Sequence, residues 1–261
     1  MSSRPQTLAD VRSFVERLGY EDPFHHRRIA ETALFVPKAE PGARLVDLGT
    51  NPLVLHVISE TAGYEDPQGV DLQPDAESSW TVTLQAWSGG AERTYRIHNV
   101  DLQRDTFPFP DQSVDVVTSF ETLEHLLDPM HLLFEANRIL KPGGYLVLST
   151  PNPISWRSLI RASVHKHPML YPFLRRGFDT NRHNIEYLPS MVRAMVEGAG
   201  FEGEVSTRAW WYRIPWFQKV RFMLVGFRPG DRGDIIVAKV RKTSEPRTRF
   251  PVEVFLPEGD A

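Results

Sequence analysis

Arg44-Leu-Val-Asp-Leu-Gly-Thr-Asn-Pro52 decides the reading of this chain. An apolar run ends in an acid, one glycine and a helix-start signal, so a strand must turn at once into a helix. Asn51 is a favoured N-cap and Pro52 a favoured first helical residue, which specifies the helix start strongly. Such a turn presents free backbone N–H groups, and these suit the anionic or polar end of a nucleotide-type cofactor. Further on, Gly69-Val70-Asp71 reads as a second strand end with a carboxylate spaced to hold a ribose hydroxyl pair. Asn51 and Leu53 stand where a Gly-x-Gly-x-Gly loop would carry its second and third glycines.

Working outward, strands and helices alternate. The pattern predicts strands at 44–48, 68–71, 94–100, 114–120 and 145–149, with helices at 52–61 and 129–140. Lys141-Pro-Gly-Gly144 is a turn, and a last helix from Pro189 to Ala199 ends at Gly200 as a C′ glycine would end it. Two strands follow near 203–210 and 234–240. Alternation of this kind predicts an α/β fold with a mostly parallel sheet and helices on both faces. Residues 1–40 read as a helical N-terminal cap, with Val11, Phe14, Val15 and Leu18 on one face and Ile29, Ala33 and Leu34 on another. The main domain is expected over 41–242, with a lid-like insertion at 151–183 and a proline-rich C-terminal arm over 243–261. For the polar excursion at 72–93, helix and hairpin both remain open.

Composition bounds the function classes. With 261 residues, 41% of them hydrophobic, a sizeable core is available. Lys and Arg number 30 against 33 Asp and Glu, so no general attraction to nucleic acid is expected. Zero cysteines exclude disulfides, thiolate metal sites and cysteine nucleophiles, and fit a reducing cytoplasm. No signal-peptide h-region or long apolar run is visible, so neither secretion nor membrane spanning is expected, while peripheral membrane contact stays open.

An ordered set of short motifs narrows this further: Leu45-Val-Asp-Leu-Gly49, Gly69-Val-Asp71, Val100-Asp-Leu102, Phe107-Pro-Phe-Pro-Asp111, Val114-Asp-Val-Val117, Glu124-His-Leu126 and Arg138-Ile-Leu-Lys-Pro-Gly-Gly144. In this order they resemble the class I S-adenosylmethionine-dependent methyltransferases, over about residues 40–242. The resemblance implies a Rossmann-like, seven-stranded, mostly parallel sheet with one antiparallel strand. It also implies S-adenosylmethionine as cofactor, its methionine end near Asp47, Gly49 and Asn51 and its ribose on Asp71. Adenine would lie against Leu72, Asp101 and Leu102, since a carboxylate at Asp101 accepts from an exocyclic amine.

Phe120 to His125 leaves the strand 114–120 at the carboxyl edge, where such sheets bind ligands. If that segment turns helical, Glu121 and His125 share a face at i and i+4. Phe120 and Glu121 then border the sulfonium or the substrate. His125 is a base or orienting group, or else it packs beneath the cofactor and bonds backbone. Arg182-His-Asn-Ile-Glu-Tyr187 and Arg232-Gly-Asp234 resemble stretches of methyltransferases from glycan and lipid-linked sugar pathways. His183 is thus a second candidate base, with Glu186 and Tyr187 lining the acceptor site, against a plain capping and packing turn. Tandem His25 and His26, beside Arg27 and Arg28, either close over the cofactor carboxylate or form a solvated helix start. Glu121, Glu124 and His125 offer metal donors, but no second ligand set is visible, and no metal is expected. The expected reaction is methyl transfer to an oxygen or nitrogen of a small-molecule or saccharide-type acceptor, with lipid-linked sugars included. The rivals are a silent binding protein of the same fold and a nicotinamide-dependent oxidoreductase.

Overall fold

A computed structural model describes residues 4–19, 23–73, 76–89, 91–163, 183–208 and 232–248. Helix α1 (Leu8–Arg17) starts at a reciprocal cap: Thr7 Oγ1 accepts from the Asp10 N–H at 3.2 Å, and Asp10 accepts from the Thr7 N–H at 3.1 Å. It buries Val11, Phe14 and Val15. With α2 (Pro23–Phe35) and α3 (Pro52–Ala62) it covers one face of the sheet, where Leu45, Tyr95 and Val116 join the same core. Helices α4 (Pro129–Ile139) and α6 (Pro189–Gly198) cover the other, against Val46, Leu48, Val117, Leu146 and Leu148. Neighbours such as Leu45 and Val46, or Val116 and Val117, are buried in opposite layers, which is why these strands read as continuous apolar runs.

The strands are β1 (Leu45–Leu48), β2 (Gln68–Asp71), β3 (Ser79–Gln85), β4 (Glu92–Asn99), β5 (Val114–Phe120), β6 (Leu140–Pro151), β7 (Phe201–Arg208) and β8 (Ile235–Lys242). They form one sheet in the order β3-β4-β2-β1-β5-β6-β8-β7. The expected seven strands with one reversed become eight with two reversed. β8 runs against both β6 and β7, and β3 runs against β4. The extra strand comes from the excursion at 72–93, which is a hairpin. Trp80, Val82 and Leu84 alternate with threonines, and the Thr83 and Thr94 hydroxyls meet at 2.9 Å across the pair. Gly200 stands just after α6 with φ +86°, as a C′ glycine should.

β1 is the point from which the chain works outward in both directions, to β2 on one side and β5 on the other. In open α/β sheets the ligand crevice lies outside the carboxyl ends at such a switch point. The described part of the expected insertion holds α5 (Trp156–Ser163). The rest of it, the basic and aromatic residues from His165 to Arg176, the aromatics Trp210 to Trp216 and most of the C-terminal arm lie outside the described residues. Among the described residues, no helix is long and apolar enough to cross a membrane.

Candidate cofactor and acceptor site

Two features of the turn after β1 explain its sequence. Gly49 has φ +74°, and a Cβ built there would meet the Thr122 hydroxyl and lie 2.5 Å from Thr122 Cγ2. Glycine is therefore demanded by packing as well as by conformation. Thr50 acts as a rivet between β1 and β2: its hydroxyl donates to the Asp47 carbonyl at 2.6 Å and accepts from the Val70 N–H at 3.1 Å. Gly69 leaves the room, since a Cβ there would stand 2.6 Å from Thr50 Oγ1.

The expectation that this turn offers its N–H groups to a ligand is narrowed at three of them. Gly49 and Thr50 both donate to the Val70 carbonyl, at 2.8 and 3.1 Å, and the Leu53 N–H is capped by Asn51 Oδ1 at 3.0 Å. These three donors are spent within the protein, while Asn51 and Val54 also line the cleft.

A cleft of about 240 Å³ opens here, lined by Arg28, Ile29, Thr32, Asp47, Gly49, Asn51, Val54, Phe120 and Glu121. Five of these are sequence-predicted cofactor residues, and β1, β5 and the start of α3 bring them together. α2 adds the other wall. Arg28 appears in the sequence only as a neighbour of the histidine pair, yet Arg28, Ile29 and Thr32 share one helical face, and that period is the signal that finds them. His26 is buried and does not line the cleft. Among the polar lining, Asp47 is almost fully buried, and burial pushes its carboxyl up to about 7, although Thr118 donates to its Oδ1 at 2.6 Å.

Glu121 is not helical. Its φ of +53° is a left-handed conformation that non-glycine residues rarely adopt, and it reverses the chain after β5. Its carboxylate accepts from Ser149 Oγ at 2.8 Å and stands 3.4 Å from Arg28 Nη1. Glu121 and His125 therefore do not share a helical face. Only a three-residue 3₁₀ turn, Leu123–His125, follows.

The residues expected on the adenosine side lie along the next strand ends. Asp71 closes β2, and partial burial raises its carboxyl. Leu72 is 49% exposed, an apolar surface free for a base to cover. Asp101 Oδ1 already accepts from the Gln103 N–H at 2.9 Å, and the Leu102 side chain belongs to the core, so only backbone of Leu102 is left for a base.

On the opposite face of β6 a second group assembles. Ser149 holds Glu121, and the next residue, Thr150, donates to Glu124 Oε2 at 2.9 Å. Successive strand residues point to opposite faces, so two carboxylates three residues apart are tied to different sides of one strand. Burial, aided by the nearby charge of Glu121, raises the Glu124 carboxyl well above its usual range. The Glu124 carbonyl accepts from the Asn184 and Ile185 N–H groups at 2.6 and 3.2 Å, and Asn184 Nδ2 donates to the His125 carbonyl at 2.6 Å. The segment 183–187 is thus clipped onto the 3₁₀ turn. His183 is buried with its ring 5.0 Å from that of His125, at 85°, and its Nδ1 lies 3.8 Å from Glu186 Oε1. Tyr187 packs in the core, where burial pushes its phenol up. Arg232-Gly-Asp234 is a brace: its carbonyls accept from the Asn152 and Trp156 N–H groups and from Asn152 Nδ2, fixing the exit of β6.

A family profile described as a methyltransferase domain matches residues 22–205. The chain belongs to that family. Among curated relatives, a Mycolicibacterium smegmatis protein named with the S-adenosylmethionine-dependent methyltransferases is 37% identical over 42% of this chain and 38% of its own length. A ubiquinone biosynthesis O-methyltransferase of Vibrio cholerae is 30% identical over 60% of each chain. The matches thus span 38% and 60% of these relatives' lengths, less than two thirds of either. Among solved structures, an S-adenosylmethionine-dependent methyltransferase of Archaeoglobus fulgidus superposes with a TM-score of 0.54 at 17% identity, covering 88% of this chain and 99% of that one. At that identity the likeness speaks for the fold. The chain shares that fold, with β8 and β3 as its two reversed strands. The motif order in the sequence fits the same family, whose members use S-adenosylmethionine.

Proposed function

We propose that this methyltransferase moves the methyl group of S-adenosylmethionine to an oxygen or nitrogen of a small-molecule or saccharide-type acceptor, lipid-linked sugars included, in the cytoplasm. The observation that carries the reading is the cleft at the switch point, where one cation, Arg28, faces two carboxyl groups, Asp47 and Glu121. An α-amino acid end carries the complementary pair of charges, a carboxylate for Arg28 and an ammonium for Asp47. Asp71 stands one strand away to accept both ribose hydroxyls, with Leu72 and Asp101 beyond it for adenine. S-adenosylmethionine supplies an electrophilic methyl group, so the protein needs chiefly to position an acceptor and exclude water. His125 and His183, on the other side of β6, take or orient the acceptor's proton, with Glu186 behind His183.

Calorimetry with S-adenosylmethionine and with NADH tests the reading. Binding of the first alone supports it, NADH alone refutes it, and binding of neither favours a silent scaffold.

Asp47 sets a pH dependence. Its folded-state pKa of about 7 lies above the ordinary 3.8, so the unliganded protein holds a proton there that the unfolded chain loses. Asp47 therefore costs stability as pH rises from about 4 to 7 and has a constant effect above. An ammonium needs the ionised form, so cofactor affinity is expected to climb by up to about tenfold per pH unit between pH 5 and 7 and then level off. Calorimetry across that range should show the slope, and Asp47→Asn should abolish it. An identical slope in the variant removes Asp47 from the site.

For His125→Ala the expectation is unchanged cofactor affinity with turnover lowered by about 10²–10⁴. A variant as fast as the parent reduces His125 to packing.

A further inference from the structure

The fold changes the membership of the donor cluster that the sequence offers. Glu121 is turned toward Ser149 and Arg28, and in its place a residue from a distant part of the chain, His183, arrives beside Glu124 and His125. Each of these three presents one ligand atom, all within 4.8 Å of one another. We infer that Glu124, His125 and His183 bind a divalent transition-metal cation on the acceptor side of the cofactor cleft.

Four observations carry this. Glu124 is 1% exposed, and while Oε2 takes the Thr150 hydroxyl, its buried Oε1 receives no hydrogen bond. A buried carboxylate oxygen without a donor is costly, and a cation satisfies it. Oε1 points toward the imidazoles, 3.9 Å from His125 Nε2. The two elements that bring the donors are fastened by the Asn184 and Ile185 bonds to the Glu124 carbonyl, so the cluster is assembled before any ion arrives. The donor set is specific as well: two imidazoles and one carboxylate suit Zn²⁺, Mn²⁺ or Fe²⁺, and leave coordination positions open. Ligand atoms around an ion with bonds of about 2.1 Å stand roughly 3.4 Å apart when tetrahedral, so the rings need to swing inward by only about 1 Å.

The role of the cation rests on the methyl-transfer reading above, although its binding does not. An open ion beside the methyl donor takes an acceptor hydroxyl together with a second oxygen on the adjacent carbon. That makes the acceptor a vicinal diol or an α-hydroxy acid. The hydroxyl proton passes to solvent, the oxygen forms its bond to the methyl carbon, and the carbon–sulfur bond breaks with its electron pair on sulfur. His125 and His183 then act through the ion rather than as proton acceptors.

The test uses the full chain, stripped with a chelator and titrated with Zn²⁺ by calorimetry and with Co²⁺ by visible absorption. The expected result is one ion per chain and release of protons on binding, which weakens as pH falls. Glu124→Gln and His183→Ala should each lower Zn²⁺ affinity by at least about 100-fold, more than an outer-shell change would. Because both positions are buried, circular dichroism and S-adenosylmethionine affinity report whether each variant stays folded, and the more exposed His125→Ala gives a third arm with the same expected loss. No stoichiometric Zn²⁺ binding by the parent chain, or full affinity in folded Glu124→Gln, overturns the proposal. Metal binding without cofactor binding overturns the methyl-transfer reading and leaves the metal site standing.

Discussion

Gly49→Ala is expected to lower the unfolding free energy by about 2–4 kcal/mol, the sum of a left-handed residue's cost and of overpacking against Thr122. Chemical denaturation measures it. The companion variant Gly143→Ala separates the two causes, because Gly143 has nearly the same φ, +77°, with nothing within 4 Å of an added Cβ. It should lose only about 1–2 kcal/mol. Equal losses in the two variants would show that Thr122 yields without cost and that packing does not fix this glycine. The Gly49 effect should also reach the cleft, since Thr122 donates to the Leu48 carbonyl and lies just past Glu121.

Asp71→Ala is the second large effect. Removing a charged hydrogen-bond partner of two ribose hydroxyls should weaken S-adenosylmethionine binding by about 1.5–3 kcal/mol, roughly 10- to 150-fold. Stability should not suffer, because partial burial already disfavours the ionised carboxyl in the unliganded protein. Calorimetry alongside thermal denaturation reads both quantities at once. Unchanged affinity would remove Asp71 from the ribose site, and a large fall in stability would mean that its role is structural.

Much of the fold was legible because its signals are local. The cap at Asn51-Pro52, the C′ glycine at 200 and the apolar runs of β1 and β5 each state their structure within a few residues. The hairpin was less so: one serine and two threonines at 79–83 leave a half-exposed edge strand with weak contrast between its faces. In the candidate site, the cluster around Asp47, Gly49 and Glu121 follows from strand ends and could be read off. The left-handed Glu121 could not, since no local preference puts a glutamate at φ +53°; its N–H donates to the Ser149 carbonyl at 2.9 Å and its carboxylate meets Ser149 Oγ and Arg28. Nor could the meeting of His125 and His183, which depends on hydrogen bonds between segments far apart in sequence.

The Val70 carbonyl, by taking both the Gly49 and Thr50 N–H groups, uncouples the path of the backbone from the grip on the ligand. Where main-chain amides do the gripping, every alteration of preference risks the loop itself. On the proposed reading the groups that meet the ligand are Arg28, Asp47 and Glu121, two of them rooted outside the loop. Substitutions at Arg28 and Glu121 alter what the pocket prefers while the turn stays as it is. The glycine-poor loop is in that sense a stable frame around an exchangeable lining.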